Sequence, residues 1–325
     1  MRKIAMVIPK YGLVGGAEQF ASELTARLYA RTKDEFHLFA NRRKPDATPL
    51  RFHPVPVISF PKWLTTPSFA WFVRRGLRRT AYDLVHSHER IFAADLFTMH
   101  GVPHCFWVRE VRKKSMSLYD RATAWVEARM VYEGGCRKFV AVSQLTRDIF
   151  LRQYPIDPEK VCVIHPGVGL EDFTKKNQDV VRQTVRRNLG IEADVPLFVF
   201  ASMNFEIKGL DDILGALYHV RKSNGRFKII VAGKGNAGKY QKMAAGKGLS
   251  DSIVFTGALE KDKLIDLYLA GDAYVMLSKF DTFGMVVLEA MAAGLPVIVS
   301  GNVGAKDLVR EDENGFVIDN PSDHE

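Results

Sequence analysis

The chain has 325 residues, 47% of them hydrophobic, enough for two domains of roughly 150 residues that each bury a core. It lacks a run of about 20 uncharged apolar residues, which excludes a membrane-spanning helix, and its three cysteines (Cys105, Cys136, Cys162) have no paired spacing, which argues against a disulfide framework or zinc site and for reduced thiols in the cytosol. The net charge of +9 is uneven: residues 1–170 hold 27 Lys and Arg against 15 Asp and Glu, whereas residues 171–325 hold 19 against 22, so the first half calls for an anionic partner, nucleic acid or an anionic membrane.

The opening residues 1–9 read as a short strand, without the apolar region and cleavage site of a signal peptide. Strands are predicted at 4–8, 36–40, 84–86, 96–99, 139–142 and 161–164, alternating with helices at 16–31, 67–80, 115–134 and 143–153. Residues 166–190 are polar and charged and read as a linker, so the boundary is placed between 169 and 170. A second series follows, with strands at 197–201, 227–232, 253–256, 273–277 and 296–300 and helices at 208–222, 237–247, 260–270 and 283–293. Such alternation predicts two doubly wound α/β domains, which bind ligands at the C-terminal ends of their strands.

Glu289 is the only charged residue between Asp281 and Lys306. It sits in an apolar helix that Gly294 and Pro296 terminate. A carboxylate there needs a hydrogen-bonding partner. Either it is a rim residue or ion-paired to a distant Arg, or it holds a ligand; two adjacent sugar hydroxyls suit its two oxygens. Gly15-Gly16 lies between the first strand and a helix, where free backbone N–H groups favour phosphate, although an ordinary turn has the same look. Residues 233–239 match both Gly-x-Gly-x-x-Gly and Gly-x4-Gly-Lys. Tyr240 stands where a P-loop needs Ser or Thr, and no acid ends the next strand, so Gly233 is read as part of a tight turn beside a nucleotide. Lys208 opens a predicted helix after a strand, either as a surface cation or as one that neutralises a diphosphate. His100 ends a strand and faces ligand, or else is a core histidine; His86, His88 and His104 are near it in sequence. Clusters of cations beside Trp71 and Trp107 suit the interface of an anionic bilayer, or are solvated basic helices. No RNA-recognition motif is present, so nucleic acid is not the expected partner.

The segment Phe280-Asp281-Thr282-Phe283-Gly284-Met285-Val286-Val287-Leu288-Glu289-Ala290 resembles the Glu-x7-Glu signature of the retaining glycosyltransferases of family 4. Gly15-Gly16-Ala17-Glu18, residues 139–143, residues 163–168, Lys208-Gly209-Leu210-Asp211 and Gly301-Asn302-Val303-Gly304 agree with that family in order and spacing. Within it, the chain is most similar to the lipopolysaccharide core glucosyltransferase group. It departs in three places: Asp281 stands for the first Glu, Met203 for an Arg that many members carry, and the chain ends at Glu325, short of the helices that usually return to the N-terminal domain.

The resemblance implies a GT-B fold, with Rossmann-like domains at 1–169 (acceptor side) and 170–325 (nucleotide-sugar side) facing across a cleft. It implies transfer of a hexose, glucose above others, from a UDP-sugar to a lipid-linked saccharide, without a metal ion or other cofactor, at the cytoplasmic face of a membrane. Region 104–134 corresponds to the part of those enzymes associated with membrane contact. Glu289 would hold the ribose, and Lys208 with the backbone at Gly284, Met285 and Val286 the diphosphate. Asp281 and His100 would bind the transferred sugar, and Gly15, Gly16 and Gly233 would line the donor. A nucleotide-sugar epimerase on the same fold and a non-catalytic basic membrane protein are the alternatives.

Overall fold

The computed structural model describes residues 1–13, 15–44, 48–133 and 135–323. Gly134, the end of a predicted helix, and the chain end at Glu325 lie outside them. The chain divides into two units, Met1–Pro166 and Gly167–Glu325, so the break falls three residues before the expected one.

Unit 1 contains β1 (Lys3–Val7), α1 (Gly16–Arg31), β2 (Glu35–Ala40), β3 (Arg51–Pro54), α2 (Thr65–Leu77), β4 (Leu84–Ser87), β5 (Ala94–Met99), α3 (Leu118–Tyr132), β6 (Cys136–Ala141), α4 (Gln144–Gln153) and β7 (Val161–Val163). The strands form one parallel sheet in the order β3-β2-β1-β4-β5-β6-β7. Ile4 to Val7 are all buried, the continuous apolar run of a strand covered on both faces. Phe39, Phe69, Phe97, Phe139 and Phe150 fill the core on one side. A reciprocal capping box starts α3: Ser117 accepts from the Asp120 N–H, and Asp120 accepts from the Ser117 N–H.

Unit 2 contains α5 (Gln178–Asn188), β8 (Leu197–Ser202), α6 (Leu210–Lys222), β9 (Lys228–Gly233), α7 (Ala237–Gly246), β10 (Ile253–Gly257), α8 (Lys261–Ala270), β11 (Ala273–Met276), α9 (Met285–Ala292), β12 (Val297–Ser300) and β13 (Gly315–Ile318). Its parallel sheet runs β10-β9-β8-β11-β12-β13. In both units the strand order reverses beside the first strand, between β1 and β4 and between β8 and β11. Such a reversal opens a crevice at the C-terminal strand ends, where α/β sheets bind ligands.

Three elements differ from the sequence expectation. Residues 178–188 are helical where a linker was predicted. The charges that made this segment look solvated are structural: Arg186 is 5% exposed and donates to Asp272 (3.2 Å) and to the Glu192 carbonyl (2.7 Å), and Arg182 donates to the carbonyls of Ala270 (2.9 Å) and Gly271 (2.8 Å). The edge strands β3 and β13 were not predicted; β3 is polar and ends in proline, which hides it among loop residues.

Candidate functional site

In unit 2 the loops that leave β8 and β11 flank the crevice, and each carries a predicted site residue. They are tied together at Ile207, whose carbonyl accepts the Lys279 N–H at 2.8 Å and the Ser278 hydroxyl at 3.1 Å. Beyond this tie the Lys208 ammonium donates to the Asp281 carboxylate, with the two side chains 21% and 18% exposed. The other Asp281 oxygen accepts the Phe283 N–H at 3.2 Å. The Asp281 carbonyl accepts the Gly304 N–H at 3.0 Å, which fixes the residue at both backbone and side chain. Lys208 and Asp281, 73 positions apart, therefore form one charged pair, shielded but still reached by solvent. Such a pair offers a cation to an anionic group and a carboxylate to hydroxyls.

Gly284 follows immediately and starts α9. Its φ is +94°, and a Cβ there would lie 3.0 Å from Met276 Cε and 3.1 Å from Val303 Cγ1, so glycine suits both the left-handed turn and the close approach. The N–H groups of Met285 and Val286 come before the first intrahelical acceptor and point out of the helix start, where the helix dipole favours negative charge. Further along α9, Glu289 accepts a hydrogen bond from the Tyr268 hydroxyl of α8 at 3.3 Å. Burial pushes its carboxyl above the usual carboxylate range, and the Tyr268 bond opposes that only in part. The protein partner of this carboxylate is thus a neutral phenol. Gly233 ends β9 against the Ser202 carbonyl of β8.

In unit 1, Gly15 caps α1 and Gly16 is its first residue. The Glu18 carboxylate folds back onto this helix start, so that a Cβ on Gly15 would meet its Oε2 at 2.1 Å. The expected phosphate site therefore carries the protein's own negative charge.

His100, just beyond β5, belongs to a group of three histidines. Its Nε2 lies 2.9 Å from Nδ1 of His88, and the two rings stack at 5.2 Å. The His86 ring is 4.3 Å from that of His88, and its Nε2 shares a hydrogen bond with Thr98 at 2.7 Å. Phe20 of α1 sets its edge against His88 and His100. Burial, and for His100 the neighbouring His86, lowers His86 and His100 to about 4. Burial holds His88 well below the ordinary histidine range, with His86 and His100 adding to the effect. All three are neutral at pH 7. Among the described residues no group of three or more His, Cys, Asp or Glu is arranged to hold a metal ion.

A cavity of about 240 Å³ lies beside this group, lined among others by Ala17, His88, Glu89, Arg90, His100 and Glu127. A larger one, about 410 Å³, lies at the opposite ends of the strands, among Val85, Ala94 and Arg137, away from every candidate residue. Sequence reasoning missed Arg90 and Glu127. Their buried ion pair is completed by the Tyr154 hydroxyl (2.7 Å) and the His104 N–H (3.0 Å), both donating to Glu127. Only the rarity of a buried acid in α3 hinted at them.

The basic segments carry exposed aromatics and one exposed leucine. Phe60, Trp63, Trp71, Leu118 and Trp125 are 88%, 43%, 50%, 69% and 47% exposed. They lie on α2, on α3 and on the turn before α2, which pack on one another. Arg75 sits over Trp71 at 5.7 Å and Arg129 over Trp125 at 5.1 Å. Trp107, in a π-helical turn over Trp107–Val111, is only partly exposed. No helix among the described residues is long and apolar enough to cross a membrane.

Two family models match this chain. "Glycosyltransferase Family 4" covers residues 14–172 and "Glycosyl transferases group 1" covers residues 181–325. A D-inositol 3-phosphate glycosyltransferase of Streptomyces bingchenggensis is 31% identical over 271 residues, 77% of this chain; the chain spans 58% of that relative's length. Among solved structures, WaaG, a glycosyltransferase involved in lipopolysaccharide biosynthesis, superposes with a TM-score of 0.78 at 21% identity, over 97% of this chain and 85% of its own. Anabaena HepE, solved in complex with UDP-glucose, gives a TM-score of 0.71 at 18% identity, over 99% and 87%. At these identities the structures establish the shared fold.

Proposed function

The chain belongs to glycosyltransferase family 4 and has its GT-B fold, and on that premise we propose that it transfers a hexose, glucose above others, from a UDP-sugar to a lipid-linked saccharide, with retention at the anomeric carbon. The observation that carries the reading is the Lys208–Asp281 pair at the crevice of unit 2, directly before the Gly284 helix start. The HepE complex with UDP-glucose supports the choice of donor.

In this reading the diphosphate lies against the Lys208 ammonium and the Met285 and Val286 N–H groups. Lys208 then exchanges part of its bond to Asp281 for the phosphate oxygens. The freed Asp281 oxygen accepts from a hydroxyl of the transferred sugar. Glu289 accepts from both ribose hydroxyls while Tyr268 holds its other face. As the glycosidic bond breaks, negative charge grows on the departing phosphate, and the preorganised cation and backbone N–H groups stabilise it without reorganising. Positive charge at the leaving group comes from the protein rather than from a metal ion, so EDTA leaves the rate unchanged. No residue among the candidates is placed as a covalent nucleophile, and the acceptor attacks from the face the diphosphate leaves.

The basic, aromatic face of unit 1 suits an anionic bilayer, with tryptophan rings at headgroup depth and arginines on the phosphates, and this would set the enzyme at the cytoplasmic face of its membrane. The name of the Streptomyces relative favours a second acceptor class, a polyol phosphate.

The test is UDP release from a panel of UDP-sugars, with and without truncated lipopolysaccharide core and with inositol phosphate. Acceptor-dependent release from one donor is expected. Release without any acceptor, or a free isomerised sugar, would refute transfer; a chain that binds no UDP would refute the nucleotide-sugar reading altogether.

A further inference from the structure

Among the described residues that line the cavity beside the histidines, His88 carries a polar atom that the fold does not satisfy. His88 is 6% exposed, and its Nε2 is buried without a hydrogen-bond partner among the described residues, although its Nδ1 is engaged by His100. A buried ring nitrogen left in this state costs free energy that a ligand can return. We propose that His88 reads a neutral hydroxyl of a polyol or sugar at this cavity, through Nε2, and that its bond to His100 couples the hydrogen-bonding character of the two rings. The proposal rests on the transferase reading only for which substrate brings the hydroxyl.

The chemistry follows from proton counting. A neutral imidazole carries one N–H. If His88 donates from Nδ1 to His100, its Nε2 is an acceptor. If His100 donates from Nε2 instead, His88 Nε2 carries the proton and is a donor, while His100 Nδ1 becomes an acceptor. The pair can therefore switch His88 Nε2 between accepting and donating when both rings change tautomer together, one proton passing from Nδ1 to Nε2 in each, so that the 2.9 Å bond between them reverses direction. A hydroxyl both donates and accepts, so it satisfies either state. A carboxylate only accepts, a phosphate accepts at most of its oxygens, and either brings a charge that a hydroxyl does not.

Charge in the cavity argues against such an anion. Among the described residues Arg90 is the only one lining the cavity with a fixed positive charge, and its guanidinium is committed to Glu127, to Glu89 (3.4 Å) and to the Val102 carbonyl (3.1 Å). With Glu89 and Glu127 both lining the cavity, two acids face one cation. A desolvated anion would find no unengaged cation there. The cavity thus selects the uncharged part of an acceptor or sugar, even if that molecule carries a phosphate elsewhere.

The test is a titration of the full chain with ¹⁵N-labelled histidine, followed by long-range ¹H–¹⁵N spectra at pH 7, with and without UDP. The His88 signals are assigned through His88→Asn. Probes are myo-inositol, D-glucose and inorganic phosphate. Saturable change of the His88 Nε2 signal with at least one polyol, accompanied by His100 and absent with phosphate, is expected. No response to either polyol, with and without UDP, or a response to phosphate, overturns the proposal. UDP affinity measured on the same samples judges the transferase reading separately. In the variants, which lack the His88 signals, the response is read at His100: His88→Asn, which keeps an amide near Nδ1 and removes Nε2, is expected to abolish it, whereas His88→Gln, with an amide near the Nε2 position, is expected to keep it within about tenfold in affinity. Equal responses in Asn and Gln variants that both unfold as wild type would also overturn it.

Discussion

Gly209 is where the geometry of unit 2 makes its sharpest demand. Its φ is +74°, and a Cβ at this position would lie 1.9 Å from the Leu277 carbonyl oxygen and 2.6 Å from its carbon. Replacing Gly209 with Ala first incurs the left-handed penalty of about 1 kcal/mol. The Leu277 oxygen must then retreat by about 1 Å to reach an ordinary contact. It has little freedom to do so, because Leu277 is 5% exposed and the chain two residues on is held to Ile207 at 2.8 Å. The whole cost is roughly 3 kcal/mol, the upper end for a single substitution. For a unit of this size that is a fall of about 10 °C in unfolding temperature. Gly248, with φ +68° and open space around its Cβ, is the matched control; its Ala variant carries only the backbone penalty and falls by about 3 °C. The assay separates the units optically. All four tryptophans (Trp63, Trp71, Trp107, Trp125) lie in unit 1, so fluorescence follows that unit while far-ultraviolet circular dichroism follows both. The Gly209→Ala loss should appear in the dichroism transition. A Gly209→Ala protein that unfolds with the Gly248→Ala protein would refute the reasoning, since it would mean the carbonyl yields freely.

Three further predictions concern the candidate residues. Lys208→Ala should lower kcat by about a hundredfold through lost stabilisation of the leaving phosphate, measured as UDP release; a near-normal rate would remove Lys208 from the mechanism. Glu289→Gln should weaken UDP binding at least about tenfold, as for loss of a charge-assisted hydrogen bond, while leaving pyrophosphate binding unchanged; calorimetric titration with both ligands checks it, and equal losses would move Glu289 from ribose to phosphate. Unit 1 should lose stability on acidification well above the carboxylate range. The folded His86 is lowered from 6.5 to about 4, so the unfolded chain binds the extra proton first. Full stability is present above pH 6.5 and is lost as pH falls toward 4, by about 3 kcal/mol for His86 alone. Asp120, brought to about 2 by hydrogen bonds from Ser117 and His104 that outweigh its burial, adds its own loss only below about pH 4. Urea unfolding followed by tryptophan fluorescence at pH 7, 5.5 and 4.5 measures this, and a flat profile would contradict it.

The regular elements were legible because parallel strands covered on both faces read as apolar runs, and the helix Gly16–Arg31 was predicted with both its ends. The helix Gln178–Asn188 was not, because Arg182 and Arg186 look like solvent charges until Asp272, almost ninety residues on, is seen to receive them. The candidate site divides in the same way. Local patterns placed Lys208 at a helix start after a strand and Glu289 inside an apolar helix. Pairings across long sequence gaps, Lys208 with Asp281 and Tyr268 with Glu289, leave no local trace. His88 appeared in sequence only as a neighbour of His100; its unfilled nitrogen is a property of burial, which spacing does not report.

The arginine fastening of Gln178–Asn188 bears on how such a protein is cut and recombined. A swap of the second unit between relatives, made in the polar stretch near residue 190, would separate Arg182 and Arg186 from Asp272. Asp272 also accepts the Leu197 N–H at 2.7 Å, at the first residue of the central strand. The chimaera would keep the host's helix beside a guest unit whose acceptors no longer match its side chains. Crossover upstream of Asn177, the residue that caps this helix, keeps lock and key in the same piece.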